Sequence, residues 1–475
     1  MPTTPSRSVS DPRTLVTHPE IRSQQSFPFF KTIGEPPKNA LERLLSLFAD
    51  VRAGEGLGAL LLTLNVFLIL EAYYLIKPVR EALVLTEPLV KGISTADQKV
   101  YAAAAQAVLF MGIVPFYGWL ATRVPRMRLI AITSLFFAVN LGLFYLAGQA
   151  GLRVGVVFFI WIGIFNIFVP AQFWAFANDL YTEGQGQRLF PLIGVGASLG
   201  AWVGASAVPP LLRQAGFTPY TLMALSGAIL LAALAITVFV NRRETARAEP
   251  EAKKINEAPL GRQGGFELIL KDRYLTWIAL LIVILNVVNT VGQYLLDNVV
   301  LAEAAARVGT GPGQEAARKA FIGAFFGTFY GAQNLLGLLL QLFVTSRVMR
   351  FMGVRGALFI LPVLALINYS VIAVAPILAV VRVGKLLENS TDYSIQNTIR
   401  AALFLPTSRE AKYKSKAAID TFFARTGDML QGGFVAAGGA LGIAWPAFAW
   451  LNVALTGVWM VAAGRIAREH RRKTI

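Results

Sequence analysis

Apolar runs recur along the whole chain, and many reach about 20 residues, the length that crosses ~30 Å of hydrocarbon as helix. Strict alternation over ~10 residues, the mark of barrel strands, is absent. Backbone left unpaired in lipid is costly, so runs of this kind read as helices. The pattern predicts twelve spans, over 56–84, 100–122, 128–148, 155–180, 188–211, 218–240, 272–298, 319–345, 354–375, 377–399, 415–439 and 441–464. The longest polar break, 241–271, divides them six and six. The fold class expected is therefore an all-α polytopic membrane protein with twelve transmembrane helices in two six-helix halves. Its parts are a tail (1–55) with a short amphipathic helix over 40–51, halves at 56–240 and 272–464, a linker (241–271) and a basic tail (465–475).

Polar positions inside the spans are the next signal, because a charge at mid-depth costs about 2.5–3.5 kcal/mol on insertion scales. In the first span Glu71, Tyr74, Lys77 and Glu81 fall three or four apart and share a face, with Arg80 beside them. Gln172, Asp179 and Glu183 repeat the spacing near the end of the fourth span, with Asn178 alongside. Asn286, Asn289, Gln293 and Asp297 form a stripe on the seventh, and Arg382, Lys385, Glu388 and Asp392 on the tenth. For Lys77 two readings stand. It snorkels to the outer surface, or it faces inward and holds an anion. Lys385 with Glu388 and Asp392 is equally open, as an anion site or as a closed ion network that fixes packing. Lys416 and Arg425 lie deeper in their span than topogenic lysines would.

Two further patterns bear on architecture. "NVFLILEAYYLIKPV" (65–79) and "NVVNTVGQYLLDNVV" (286–300) agree in register at Asn, Val, Tyr, Leu and Val, each in the first span of its half. Gly196, Gly200 and Gly204 recur every four residues in span five, and Gly323, Gly327 and Gly331 in span eight. Such stripes allow close helix approach, within a half or between halves. Two six-helix repeats with polar faces on spans one, four, seven and ten match the major-facilitator pattern, with a midplane site between halves.

Composition agrees and removes alternatives. The chain of 475 residues is 55% hydrophobic and 15% charged, with a mean hydropathy of +0.56. It has no cysteine, and its two histidines lie in polar tails, so thiolate metal sites and histidine chemistry in the core are excluded. No metal, cofactor or phosphate-cradling loop is expected, and a membrane enzyme is disfavoured. Of the 44 Lys and Arg, 32 fall on segments that are inside if the N-terminus is inside, 7 on outside loops and 5 within spans. This positive-inside bias predicts cytoplasmic termini in a cell (inner) membrane, and the net charge of +17 orients the protein rather than binding nucleic acid. The tail has no secretory h-region.

Several stretches resemble the ATP/ADP translocase family, the nucleotide transporters of plastids and intracellular bacteria. They are "FWAFANDLYTEGQGQRLFPLIGVGASLG" (173–200), "YLIKPVREALVLT" (74–86), "KYKSKAAIDTFFARTG" (412–427) and "TDYSIQNTIRAALFLPTSRE" (391–410). The resemblance implies a major-facilitator-like antiporter exchanging ATP and ADP, with Lys77 and Lys416 at positions of phosphate-holding cations. Asn178, Asp179 and Arg188 fall in the span-four segment, and Lys385, Tyr393, Arg80 and Arg425 complete the candidate substrate contacts. Glu71, Tyr74, Gln172, Asn289, Gln293, Glu388 and Asp392 are candidate polar cavity residues. The chain departs from the family where an acidic and a basic residue are usual in helix seven, since Gln293 and Asp297 stand there. Pro78 replaces the Asp that follows the helix-one lysine. Losing a cation opposite the site would weaken triphosphate binding or change the substrate. Partners expected are an anionic small molecule (ATP and ADP under the resemblance) and membrane lipid, with the protein a monomer. A carrier for another organic or phosphorylated anion, or a non-transporting sensor or scaffold, is the alternative. A carrier requires a solvated cavity between the halves and a scaffold a dry bundle.

Overall fold

The computed structural model describes residues 38–46, 50–181, 183–245, 265–311, 313–408, 411 and 415–474. Most of the tail, the middle of the linker (246–264), Lys412 and Lys414 lie outside the described residues. The described residues are helical, without strands. The helix expected over 40–51 is shorter, α1 (Ala40–Leu45), opened by a capping box in which Asn39 and Glu42 satisfy each other's backbone N–H. A first group follows: α2 (Gly56–Thr86), α3 (Thr95–Arg123), α4 (Arg126–Gln149), α5 (Gly155–Leu180), α6 (Glu183–Arg213) and α7 (Pro219–Thr245). After the short α8 (Gly265–Lys271) come α9 (Arg273–Val308), α10 (Glu315–Leu339), α11 (Thr345–Ala357) and α12 (Ile360–Val374). Then come α13 (Leu378–Thr391), α14 (Asn397–Leu403), α15 (Lys416–Ala418), α16 (Ala424–Ala440) and α17 (Phe448–Thr474).

Nine helical segments among the described residues are long and apolar enough to cross a membrane. The remaining sequence-read spans fall on shorter apolar or interrupted runs, Ile360–Val374, 378–403 and 416–440. The interruptions are π-helical turns at Asp392–Gln396 and Ile419–Phe423, and another at Leu340–Val344 joins α10 to α11. Many large apolar side chains stay exposed, such as Phe116, Ile132, Phe136, Val139 and Leu143, as lipid-facing surfaces require.

The core is divided. One apolar cluster joins α2, α4, α5, α6 and α7, around Phe137, Phe158, Phe165 and Ile162. The other centres on α9, α10, α12 and α17 and reaches the ends of α2 and α3 through Leu85 and Val100. Within the first group the glycine stripe of α6 lies against the α2 backbone, Gly196 by Thr63, Gly200 by Phe67 and Gly204 by Glu71. The stripe of α10 faces α6 across the two groups, Gly323 by Leu212, Gly327 by Pro209 and Gly331 by Ser206. A second cross-group seam pairs α3 with α16, where Gly432 meets Ala104. Asn65 ties α2 to α7 by donating to the Ala233 carbonyl (2.7 Å) and to Thr237 (2.8 Å).

Candidate functional site

A cavity of about 200 Å³ lies between the two groups, walled by α2, α3, α5, α9, α10, α13 and α16. Lys77 lines it from the C-terminal third of α2. Its Nζ lies 4.2 Å from the ring centroid of Tyr330, 4.8 Å from Tyr74 and 5.9 Å from Tyr73. The ring faces carry negative quadrupoles, which hold a cation without neutralising it. Among the described residues Lys77 makes no ion pair and no hydrogen bond. Pro78 follows it in the helix and removes the donor that the Tyr74 carbonyl would otherwise receive.

The other cations of the cavity are compensated. Arg80 pairs with Glu81 and stacks on Phe159 at 4.8 Å. Lys99 bridges Glu81 and Asp297, 2.6 Å from each. Glu81 also accepts from the Tyr330 hydroxyl (3.1 Å), and Gln293 donates to Asp297 (2.9 Å). Since Glu81 belongs to α2, Lys99 to α3, Tyr330 to α10 and Asp297 to α9, this knot joins the two groups. Asp428, also on the lining, lies 3.4 Å from Arg425, whose guanidinium stacks on Phe110 at 4.9 Å.

Two more cross-group links lie near the C-terminal end of α2. Tyr294 donates to Asp97 (2.7 Å). Glu87 accepts from the Val154 and Gly155 amides (2.8 Å each), from Tyr220 (2.6 Å) and from Lys319 of α10 (2.8 Å). The two amides open α5, where a carboxylate is favoured. These contacts therefore link the two groups beyond the cavity on this side.

Amides make up much of the remaining wall. Asn289, Gln293, Gln333, Asn389 and Gln431 each line it. Each uses one end on a protein partner: Asn289 accepts from Lys385 (2.7 Å), Asn389 donates to Gln333 (3.0 Å) and Gln431 donates to the Thr290 carbonyl (2.7 Å). Tyr393, on the π-helical turn, completes the lining.

Of the sequence-read candidates, Lys77, Arg80, Tyr393, Asn289 and Gln293 come together here, and Tyr74 stands beside Lys77. Others are placed elsewhere. Lys385 is 0% exposed. It donates to Asn289 and to Glu388 (3.0 Å), while Tyr369 donates to Glu388 (2.6 Å). That closed network packs α9, α12 and α13 behind the cavity wall. Asp392 lies behind Tyr393, 3.8 Å from Arg400. Gln172 turns into the first group, bonded to Tyr117 (2.6 Å) and Thr133 (3.0 Å). Glu71 is half-buried against α6 and stands off the lining. Asn178 and Asp179 are exposed at the end of α5, Asp179 paired with Arg126. Arg188 pairs with Glu55 (2.8 Å) just ahead of α2. Burial opposes the Glu55 charge, but Arg188, the Arg52 amide and Gln185 outweigh it and hold the carboxyl below its ordinary value. Lys416 pairs with Asp420 in a separate recess lined by Asn286, Asn397 and Arg400.

Lys99 escaped the sequence reading because the apolar run begins one residue after it, which put it in a loop. The signal that finds it is "STAD": Ser94 caps the helix by accepting from the Asp97 amide (3.1 Å), so α3 starts earlier and carries Lys99 inside. Tyr330, Gln333, Asn389, Asp428 and Gln431 were also missed. No short-range pattern marks them.

Comparison with known proteins adds likenesses to this geometry. Residues 331–470 match the family model described as TLC ATP/ADP transporter. The chain is 24% identical over 341 residues to ADP,ATP carrier protein 1 of Chlamydia muridarum, covering 63% of this chain and 62% of the relative. Against the carrier of the same name from Chlamydia pneumoniae it is 23% identical over 348 residues. Over these stretches the chain is similar in sequence to ATP/ADP carriers. It spans a little under two thirds of the length of these carriers. Among solved structures it is similar to the nucleoside transporter NupG (TM-score 0.57, 14% identity), over 85% of this chain and 98% of that one. It is also similar to a bacterial homologue of the iron transporter ferroportin in its inward-facing state (TM-score 0.59, 14% identity), over 86% and 98%. These likenesses show the fold alone, a many-helix bundle like those of these two structures.

Proposed function

We propose that this protein is a secondary transporter that exchanges nucleotides of the ATP/ADP type across a membrane by alternating access. The observation that carries the reading is Lys77, an unneutralised cation in a cavity between the two helix groups of an ATP/ADP translocase relative. An anion is what such a group lacks. Arg80, Tyr393, Asn289 and Gln293 stand beside it as the further candidate contacts. Lys416 and Arg400 flank a recess suited to an approaching phosphate. Lys385 acts from behind, by orienting Asn289.

The remaining features of the reading are twelve spans in two six-helix halves (56–240 and 272–464), joined by the linker 241–271. Both termini are cytoplasmic, the membrane is the inner one and the protein is a monomer. The bias of Lys and Arg and the two apolar clusters support this arrangement. With that topology the tied side near Glu87 and Lys99 is the outer side, and the cavity is served from within.

The test is reconstitution into liposomes preloaded with nucleotide, followed by uptake of labelled ATP, ADP, AMP, inorganic phosphate and sugar phosphates. Nucleotide uptake that needs internal nucleotide, and that Lys77→Ala abolishes, supports the proposal. Full activity in Lys77→Ala, or uptake of none of these compounds by folded protein, sinks it.

A further inference from the structure

Resting on the nucleotide-carrier reading above, we infer that the cavity ranks nucleotides by charge, favouring a nucleoside monophosphate over a diphosphate and a diphosphate over a triphosphate. The charges at the cavity decide this. The cations that bear on it are Lys77, Arg80 and Lys99 on its lining and Arg425, which is off the lining but pairs with Asp428. The carboxylates are Asp297 and Asp428 on the lining and Glu81, held off it by Arg80 and Lys99. Each of the last three cations is matched, so Lys77 alone is left to answer a substrate's charge. A phosphate monoester carries about −1.5 to −2 near neutral pH, and each further phosphate adds roughly one more.

A single free ammonium, helped by the Arg80 edge that Glu81 leaves uncovered, suits the monoester. A triphosphate would enter a low-dielectric site with two or more charges unanswered, next to Asp297 and Asp428. Uncompensated buried charge is strongly unfavourable. The knot cannot release its cations cheaply. Freeing Lys99 would strand Asp297 without a cation, and freeing Arg80 would leave Lys99 as the one cation on both Glu81 and Asp297.

The rest of the wall fits the remainder of such a molecule. Asn289, Gln293, Gln333, Asn389 and Gln431 offer the amide ends that protein partners leave over. These suit the donors and acceptors of a base edge and ribose hydroxyls. Tyr393, on the lining and exposed, supplies ring surface for stacking.

The experiment is homo-exchange in liposomes loaded with AMP, ADP or ATP, with the same labelled nucleotide outside. Wild-type protein is expected to exchange AMP faster than ATP by on the order of tenfold or more, the scale of one charge-assisted contact. Asp428→Asn, which removes a carboxylate from the wall and leaves Lys99 with both its partners, should narrow that ratio. Asp297→Asn should narrow it further, and size-exclusion behaviour reports whether that variant folds. ATP exchange equal to or faster than AMP exchange in wild type overturns the inference and leaves the nucleotide carrier standing. Exchange of no nucleotide by folded wild-type protein overturns both.

Discussion

Lys77 and Lys385 are both buried lysines on helices that border one cavity, yet their surroundings are opposite. Lys385 has a carboxylate, an amide oxygen and a backbone carbonyl within reach, so its ammonium is used up by the protein. Lys77 has three tyrosine rings and no anion. A lysine held by acceptors stabilises helix packing, and one held only by ring faces keeps its charge available for a ligand. The same residue type is therefore used up by packing at one position and left without an anion at the other, and the neighbours make the difference.

The sharpest way to break this contrast is to truncate each lysine. Lys385→Met leaves Glu388 buried without its cation and is expected to destabilise the protein by about 3–5 kcal/mol. Thermal unfolding in detergent measures it. The double variant Lys385→Met with Glu388→Leu should recover much of the loss, because removing both ions is far milder than removing one. Gly292 sharpens the point from the other side of the helix interface. A Cβ there would run into the Tyr369 hydroxyl and crowd the Lys385 amine. Gly292→Ala should cost about 1–3 kcal/mol as overpacking.

Lys77→Met is expected to change stability by no more than about 1 kcal/mol, since a modest cation–π attraction is lost while a desolvated charge is removed. Its exchange activity should nevertheless fall by on the order of tenfold or more. A loss of stability as large as that of Lys385→Met would erase the distinction. The smallest effect belongs to a pair partly open to solvent ahead of the first long helix, Arg188–Glu55. Arg188→Ala should cost only about 0.2–1 kcal/mol near neutral pH. Because the Glu55 carboxyl is held below its ordinary value of 4.5, the pair's contribution is present above that pH. It fades as the pH falls through the lowered value. Variant and wild type should therefore converge in acid, which unfolding curves at several pH values would show.

The fold was largely legible because hydrophobic run length and polar breaks act locally. Each sequence-read span coincides with a helix or a helical run, although nine segments among the described residues meet the length and hydropathy of a full crossing. The site was legible only in part. Periodicity identifies a polar face but not what lies opposite it, so the stripes bearing Lys77 and Lys385 looked alike. Gln172 belongs to an equally regular stripe and bonds inside its own group. Asp428 and Gln431 reach the cavity because α16 crosses α3, a contact fixed by packing over more than 300 residues of sequence. Resemblance pointed to Lys77 and Lys416 together. Only the first lies on the central cavity, because Lys416 sits at a helix start and turns to Asp420.

The Lys99 bridge constrains motion as well as binding. Lys99 stays with Glu81 if α2 and α3 move together, so parting the two helix groups on this side divides Lys99 from Asp297. One face then carries surplus positive charge and the other a bare carboxylate, like the plates of a capacitor drawn apart. Work of that kind falls when mobile ions can enter the gap, so dissolved salt becomes a lubricant for this gate.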